Sequence, residues 1–126
     1  MPEEPVAFPT ASVRDGPVAG VTVVRVVGEL DAGTSDDVLA VVLAEAERVP
    51  VGLVLDLAGV TFFGSAGTTL LVRARRATGR RGAGFAVVAA HGAVLKTVQV
   101  TELDKALAVC PDLDRAVAAV LDPASR

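Results

Sequence analysis

Residues 51–71, VGLVLDLAGVTFFGSAGTTLL, contain the pattern that decides the fold. The segment VGLVLDL at 51–57 is a continuous run of branched aliphatic residues, which predicts a buried strand. Residues 58–63 are expected to turn out of that strand, and a helix is expected from Ser65 to about residue 78. The inward face of this helix is predicted from small and aliphatic residues at helical spacing: Leu70, Leu71, Ala74 and Ala77.

The alternation of strand and helix continues on both sides of this segment. Residues 21–27 (VTVVRVV) and 85–89 (FAVVA) predict two more buried strands, and shorter strands are expected at 7–14 and 107–109. Helices are expected after Thr34, over 93–100 and over 112–121, with Thr34 and Asp112 as caps. The last helix should bury four apolar residues: Leu113, Val117, Val120 and Leu121.

Strands that alternate with helices predict an α/β fold with a mixed, mostly parallel sheet, right-handed crossovers and about four flanking helices. The chain has 126 residues, the size of one domain. We expect this domain to span residues 7–121, between a flexible N-terminus at 1–6 and a flexible C-terminus at 122–126.

The composition excludes several classes of function. A net charge of −3 gives the chain as a whole no electrostatic reason to bind nucleic acid. A single cysteine cannot form an intrachain disulfide. One histidine and one cysteine are also too few ligands for a typical zinc site. The sequence contains no apolar run long enough for a membrane span, and the acidic, proline-rich start MPEEPVAF is unlike a signal peptide. A reducing, cytoplasmic location without metal or cofactor is therefore expected.

Ser65 is the strongest candidate for a functional residue. It lies where a strand ends and a helix begins, which is where sites form in open α/β sheets. Gly64 and Gly67 flank it and let other groups approach the backbone closely. Free N–H groups at the start of a helix could stabilise a phosphate on the Ser65 hydroxyl. The alternative is that Ser65 merely caps the helix.

Enzyme interpretations of this segment fail on spacing. A nucleophile elbow needs glycine two residues before the serine, where this chain has Phe63. A phosphate-binding loop requires a lysine immediately before a serine or threonine, and no lysine precedes Thr68-Thr69. The only histidine, His91, precedes a different helix and is expected to cap it or to be exposed. Asp56, inside a strand, is expected to form hydrogen bonds there.

Two other features have structural explanations. Cys110 is expected to be a small buried apolar residue. The basic cluster at 73–81 is expected to be a solvated helix end, favoured by the helix dipole.

Two stretches, VVGELDAGT at 26–34 and LVLDLAGVTFFGSAGTTLL at 53–71, resemble the signature of anti-sigma factor antagonists of the STAS domain family. The resemblance implies a mixed sheet with its helices on one side. It also implies that Ser65 is phosphorylated by an anti-sigma factor that is a serine kinase, and that a PP2C-type phosphatase removes the phosphate. Asp31 falls near the surface that contacts the kinase. The family usually has Asp immediately before the serine, and this chain has Gly64.

The resemblance predicts a non-enzymatic phosphoprotein of transcription regulation and stress response. The unphosphorylated protein would bind the anti-sigma factor and release the sigma factor. We expect the partner surface to include Asp31, Phe63, Gly64, Ala66, Gly67 and Thr69. Phe63 is either a core plug or an interface anchor, and the core plug is the favoured interpretation. Asp31→Ala and Gly67→Arg are expected to weaken partner binding with little change in melting temperature.

Two alternatives remain open at this stage. One is a STAS-type module that is never phosphorylated and belongs to a larger regulatory or lipid-transport complex. The other is a small hydrolase that uses Ser65.

Overall fold

The computed structural model describes residues 10–125, which form five strands and four helices, with β1 followed directly by β2 and helices and strands alternating after it. The strands are β1 Thr10–Asp15, β2 Val21–Leu30, β3 Gly52–Phe63, β4 Gly84–Val88 and β5 Val109–Cys110. The helices are α1 Ser35–Ala46, α2 Ser65–Arg80, α3 Gly92–Val100 and α4 Leu113–Leu121. A 3-10 turn follows at Pro123–Ser125. The predicted N-terminal segment 1–6 and residues 7–9 of the predicted first strand lie outside the described residues.

The five strands form one sheet in the order β1-β2-β3-β4-β5. β1 pairs antiparallel with β2, and every other neighbouring pair is parallel. Each parallel pair is connected through one of the first three helices. The predicted α/β class, with a mixed and mostly parallel sheet and four helices, is confirmed.

Both faces of the central strands are buried, each against different helices. The main core lies on the face covered by α1, α2 and α3, and it receives Leu53, Leu55 and Leu57 from β3. Val54, between them, points to the opposite face and joins a second, smaller core. Side chains of α4 form the cover of this second core: Ala116, Val117 and Val120.

The expectation of helices on one side of the sheet is therefore wrong for α4. Because strand order follows chain order, successive right-handed crossovers place α1, α2 and α3 on the same face. After the edge strand β5 there is no further parallel strand to reach, and α4 packs across β3 and β4 on the uncovered face. Asp112 caps α4 as predicted, accepting a hydrogen bond from the Arg115 N–H at 2.8 Å. Leu121, predicted to be inward, is 41% exposed.

The expected turn at residues 58–63 is also wrong, because β3 continues for 12 residues to Phe63. It pairs there with β2, which extends to Leu30 and is therefore longer than the strand predicted at 21–27. The pairing includes two register shifts and places Leu30 opposite Phe63. Gly59, within the segment expected to turn, sits opposite Val27 in the ladder. A Cβ atom at Gly59 would lie 3.0 Å from the Val27 Cγ2 atom, so the glycine accommodates a neighbouring strand.

No helix within residues 10–125 is long and apolar enough to cross a membrane.

Candidate functional site

The ends of β2 and β3 bring the two predicted site segments together. The Gly64 N–H donates a hydrogen bond to the Leu30 carbonyl oxygen at 2.9 Å, directly after the last paired residues of the two strands. Asp31 and Ser65 therefore follow neighbouring strands at the same end of the sheet, as predicted. This end carries the candidate site.

Ser65 is exposed and is the first residue of α2. The cap position belongs to Gly64, whose backbone is extended at φ −92° and ψ −170°. Within the described part of the chain the Ser65 hydroxyl forms no hydrogen bond, and α2 has no side-chain cap. The helix-capping alternative for Ser65 is therefore wrong, and its hydroxyl is accessible to solvent.

The first turn of α2 presents backbone donors beside this hydroxyl. The earliest N–H groups that find helical acceptors are those of Gly67 and Thr68, which donate to the Gly64 carbonyl oxygen at 3.0 and 3.3 Å. The N–H groups of Ser65 and Ala66 precede them and have no helical acceptor. No acidic residue lies in this turn. Such a helix start favours an anion.

Phe63 and Gly67 pack against each other on the buried side of this turn. Phe63 is only 6% exposed and belongs to the main core, as expected of a core plug and not of an interface anchor. A Cβ atom at Gly67 would lie 2.5 Å from a Phe63 ring carbon, so only glycine lets the helix start rest on the ring. The expectation that Gly67→Arg would leave the melting temperature almost unchanged conflicts with this contact. Both residues shape the site without forming its accessible surface.

Phe62 is the surface residue that sequence reasoning missed. Its side chain is 49% exposed, and its ring lies 3.4 Å from the position that a Cβ atom would take at Gly64. The signal was the pair Phe62-Phe63 itself, because consecutive residues of a strand point to opposite faces. Reading residues 58–63 as a turn concealed it.

Asp31 organises the loop between β2 and α1. Its carboxylate accepts hydrogen bonds from the Gly33 N–H and the Thr34 hydroxyl, both at 2.9 Å. Its backbone carbonyl accepts from the N–H groups of Thr34 and Ser35. Thr34 occupies the cap position of α1 as predicted, but its side chain makes no capping hydrogen bond there. Since Asp31 is half-buried and holds this loop, its replacement by alanine would alter local structure as well as surface charge.

The remaining predicted residues lie around the serine. Thr69 is exposed one turn further along α2, and Ala66 and Gly64 are half-buried. With Phe62 and Ser65 they form a small accessible patch, which we call the α2-start patch: Phe62, Gly64, Ser65, Ala66 and Thr69.

His91 lies far from this patch. It precedes α3, just after β4, whose last residue pairs with Asp56. β3 runs on from Asp56 to Phe63, which at ~3.3 Å per residue is roughly 23 Å. The only histidine of the chain is thus out of hydrogen-bond reach of Ser65. Asp56 accepts a hydrogen bond from the Ala58 N–H at 3.1 Å, as expected of a strand residue.

Cys110 is half-buried beside α4, and burial raises the pKa of its thiol, with a further contribution from Asp112. A raised pKa keeps the thiol protonated and weakly reactive at neutral pH. This agrees with a packing role for Cys110.

Comparison with known proteins shows the family to which this chain is similar. A sequence model of the STAS domain matches residues 12–116. The chain is similar to the crystal structure of an anti-sigma factor antagonist from Mycobacterium paratuberculosis, with 36% identity and a TM-score of 0.83 over 92% of this chain and 97% of that one.

Two more distant structures share the fold. One is an anti-sigma-factor antagonist (STAS) domain protein from Planctomyces limnophilus, with 24% identity and a TM-score of 0.69 over 88% of this chain and 98% of that one. The other is the anti-sigma factor antagonist SpoIIAA in its unphosphorylated form, with 13% identity and a TM-score of 0.65 over 86% and 94%. No curated protein matches the chain.

Proposed function

The chain belongs to the STAS domain family, and on that basis we propose that it is an anti-sigma factor antagonist switched by phosphorylation of Ser65. In its unphosphorylated form it binds a serine-kinase anti-sigma factor in the cytoplasm and so releases a sigma factor. A PP2C-type phosphatase restores the binding form. The protein is then a substrate of its partner and not itself an enzyme.

The observation that carries this proposal is the state of the Ser65 hydroxyl. It is exposed, bonded to no described residue, and located in the first turn of α2. A kinase can reach such an oxygen without unfolding the helix. After transfer, the phosphate would lie beside the N–H groups of Ser65 and Ala66 at the positive end of the helix dipole.

The switch follows from charge. A phosphate adds roughly −1.5 to −2 charges at neutral pH. The helix start tolerates that charge, so the domain stays folded. The same charge lies within the α2-start patch, where it would repel and block a partner that binds the bare hydroxyl.

Gly64 modifies the switch without removing it. The family's usual aspartate would place a carboxylate beside the phosphate, and at ~5 Å that repulsion is on the order of 1 kcal/mol. Glycine removes this repulsion and should make phosphorylated Ser65 easier to accommodate. It also removes a charge through which a kinase could recognise the site, and this favours the alternative of a constitutive binding module in a larger regulatory or lipid-transport complex.

A kinase assay tests the proposal directly. The wild-type chain is incubated with the serine-kinase anti-sigma factor of the same organism and ATP, and the product is mapped by mass spectrometry. We expect one phosphate, on Ser65, and none on Ser65→Ala. Ser12→Ala is the matched control, since Ser12 is an exposed serine in β1 outside the α2-start patch, and it should be phosphorylated like the wild type.

Phosphate on Thr68 or Thr69 with Ser65 bare would contradict the assignment of the switch. Tight binding of the anti-sigma factor without any phosphorylation would favour the constitutive module.

A further inference from the structure

Helix α2 carries a continuous exposed stripe that begins at Ser65. Its exposed residues at spacings of four, four, three and four are Ser65, Thr69, Arg73, Arg76 and Arg80. At 100° per residue these positions fall within about 80° of the helix circumference. We call the last three residues the arginine stripe: Arg73, Arg76 and Arg80.

The helix dipole does not explain the arginine stripe. Only Arg80 lies in the last turn of α2, whereas Arg73 is in the middle of the helix. The expectation that this cluster is a solvated helix end therefore accounts for part of it only. Neither the ion pair Arg48–Glu45 nor the ion pair Arg115–Asp112 involves the stripe.

The arginine stripe borders a groove between α1 and α2. The groove has a volume of about 270 Å³, and its other side is lined by Leu43 of α1 and by Glu47, the residue that follows this helix. Three guanidinium groups face one carboxylate there, although the whole chain is acidic at −3. This surface therefore has a local positive charge that the fold itself does not neutralise.

We propose that the arginine stripe binds an acidic segment of the same protein partner that contacts Ser65. The inference rests on the proposed function, because it assigns the chemistry of that partner's surface. Along the helix, Arg73 and Arg76 lie about 12 and 16 Å from Ser65, and Arg80 lies about 22 Å away. A standard interface buries about 800 Å² per partner, a disc of roughly 16 Å radius, so a partner centred on Ser65 reaches Arg73 and Arg76.

The charge and the mixed lining of the groove suit a carboxylate-rich protein segment. Guanidinium groups bind carboxylates through paired hydrogen bonds, and Leu43 provides an apolar wall against which such a segment can pack. A membrane or a nucleic acid would instead respond to the field of the whole molecule, which is negative.

The stripe also extends the effect of phosphorylation. With Glu47 included, the groove carries a formal charge of about +2, and phosphate adds roughly −1.5 to −2 at the start of the same helix face. Phosphorylation of Ser65 would thus lower the net positive charge of this helix face and weaken its attraction for the acidic segment.

The test compares four proteins in titrations against the purified serine-kinase anti-sigma factor: wild type, Ser65→Asp, the double variant R73E/R76E, and the control K96E/K105E. The control reverses two exposed lysines outside α2 and changes the net charge equally. We expect R73E/R76E to bind about ten-fold more weakly, mainly through slower association, and to lose most of the salt dependence of the wild type. K96E/K105E should bind like the wild type.

If R73E/R76E binds with the affinity of the wild type while Ser65→Asp is still impaired, the proposed role of the arginine stripe is overturned and the proposed function remains intact. Failure of the wild type to bind the anti-sigma factor overturns both. A separate flotation experiment measures binding of the wild type and of R73E/R76E to vesicles of phosphatidylserine and phosphatidylcholine. Vesicle binding that R73E/R76E abolishes, with anti-sigma affinity unchanged, would assign the stripe to a lipid surface instead.

Discussion

Phe62 and Phe63 are neighbours in β3 with opposite environments. Phe62 is 49% exposed beside the first turn of α2, and Phe63 is 6% exposed under it. Aromatic residues, phenylalanine included, are enriched at protein–protein interfaces relative to the rest of the surface. At the scale of the residue, an exposed candidate contact (Phe62) and a buried core side chain (Phe63) are therefore adjacent in the chain.

This separation predicts different consequences for the two alanine substitutions. Phe62→Ala should weaken binding of the anti-sigma factor by about five- to thirty-fold, or roughly 1–2 kcal/mol, while changing stability by less than about 0.5 kcal/mol. Phe63→Ala should lower the free energy of unfolding by about 3–5 kcal/mol, because it opens a cavity against Gly67. Titration calorimetry and urea unfolding of both variants measure the two effects. Loss of stability in Phe62→Ala with unchanged affinity would show that Phe62 is structural.

Gly64 allows a second prediction at this scale. A Cβ atom there would meet the Phe62 ring at 3.4 Å and the Leu30 carbonyl oxygen at 3.7 Å, which are ordinary contacts, and the backbone conformation suits any cap residue. Gly64→Asp should therefore stabilise the protein by about 0.3–1 kcal/mol through the cap and the helix dipole. The melting temperature should rise by about 1–5 °C. Gly64→Asn, which caps without a charge, separates the two contributions, and a lower melting temperature in both variants would contradict the predicted fit.

At the scale of the element, the position of α4 depends on two glycines of the sheet. Gly52 and Gly84 are paired in β3 and β4. A Cβ atom at either would come within 2.2 Å of Val120, at a side-chain carbon for Gly52 and at the backbone oxygen for Gly84. The helix thus packs directly on the backbone of the sheet, which explains how a short helix closes the second core.

Gly84→Ala should push α4 away from the sheet. Because the obstacle at Gly84 is backbone, the helix must move as a whole, and we expect a loss of about 1–3 kcal/mol in the free energy of unfolding. Faster amide exchange in α4 than in α2 would locate the effect. Gly82→Ala is an unsuitable control because Gly82 has a positive φ of 71°, whereas Ala90→Gly, at an exposed position outside the regular elements, should leave α4 unaffected. Wild-type stability in Gly84→Ala would contradict this packing.

The same elements show what the sequence could and could not predict. The buried strands and amphipathic helices were predictable, since aliphatic runs and helical spacing directly reflect burial. The length of β3 was not, because its continuation beyond residue 57 depends on pairing with β2, where Gly59 lies opposite Val27. The face of α4 was not predictable either, since periodicity indicates which side of a helix is buried but not which side of the sheet it covers. The location of Ser65 at a helix start was predicted correctly, whereas the exposure of Phe62 required the register of β2 and β3.

At the scale of the whole molecule, the central strands join both cores into one structure. Alternate residues of β3 enter the main core and the second core, so neither core can be lost without exposing the other face of the same strand. A small domain built in this way is expected to unfold in a single cooperative step. Such a domain favours a switch that changes surface charge over one that changes conformation.

The last prediction tests this idea with Ser65→Asp. The substitution adds a carboxylate at the N-terminus of α2, which should stabilise the fold by about 0.3–1 kcal/mol, with an unchanged urea m-value. Amide exchange in β2, β3 and β4 should match the wild type, while affinity for the anti-sigma factor falls roughly ten-fold, or about 1.4 kcal/mol. The loss should be partial because a carboxylate carries less charge than a phosphate. Ser65→Asn, similar in size but neutral, should keep most of the affinity. Faster exchange in the central strands of Ser65→Asp than of Ser65→Asn would show instead that the negative charge acts through the fold, and the rigid charge switch would have to be abandoned.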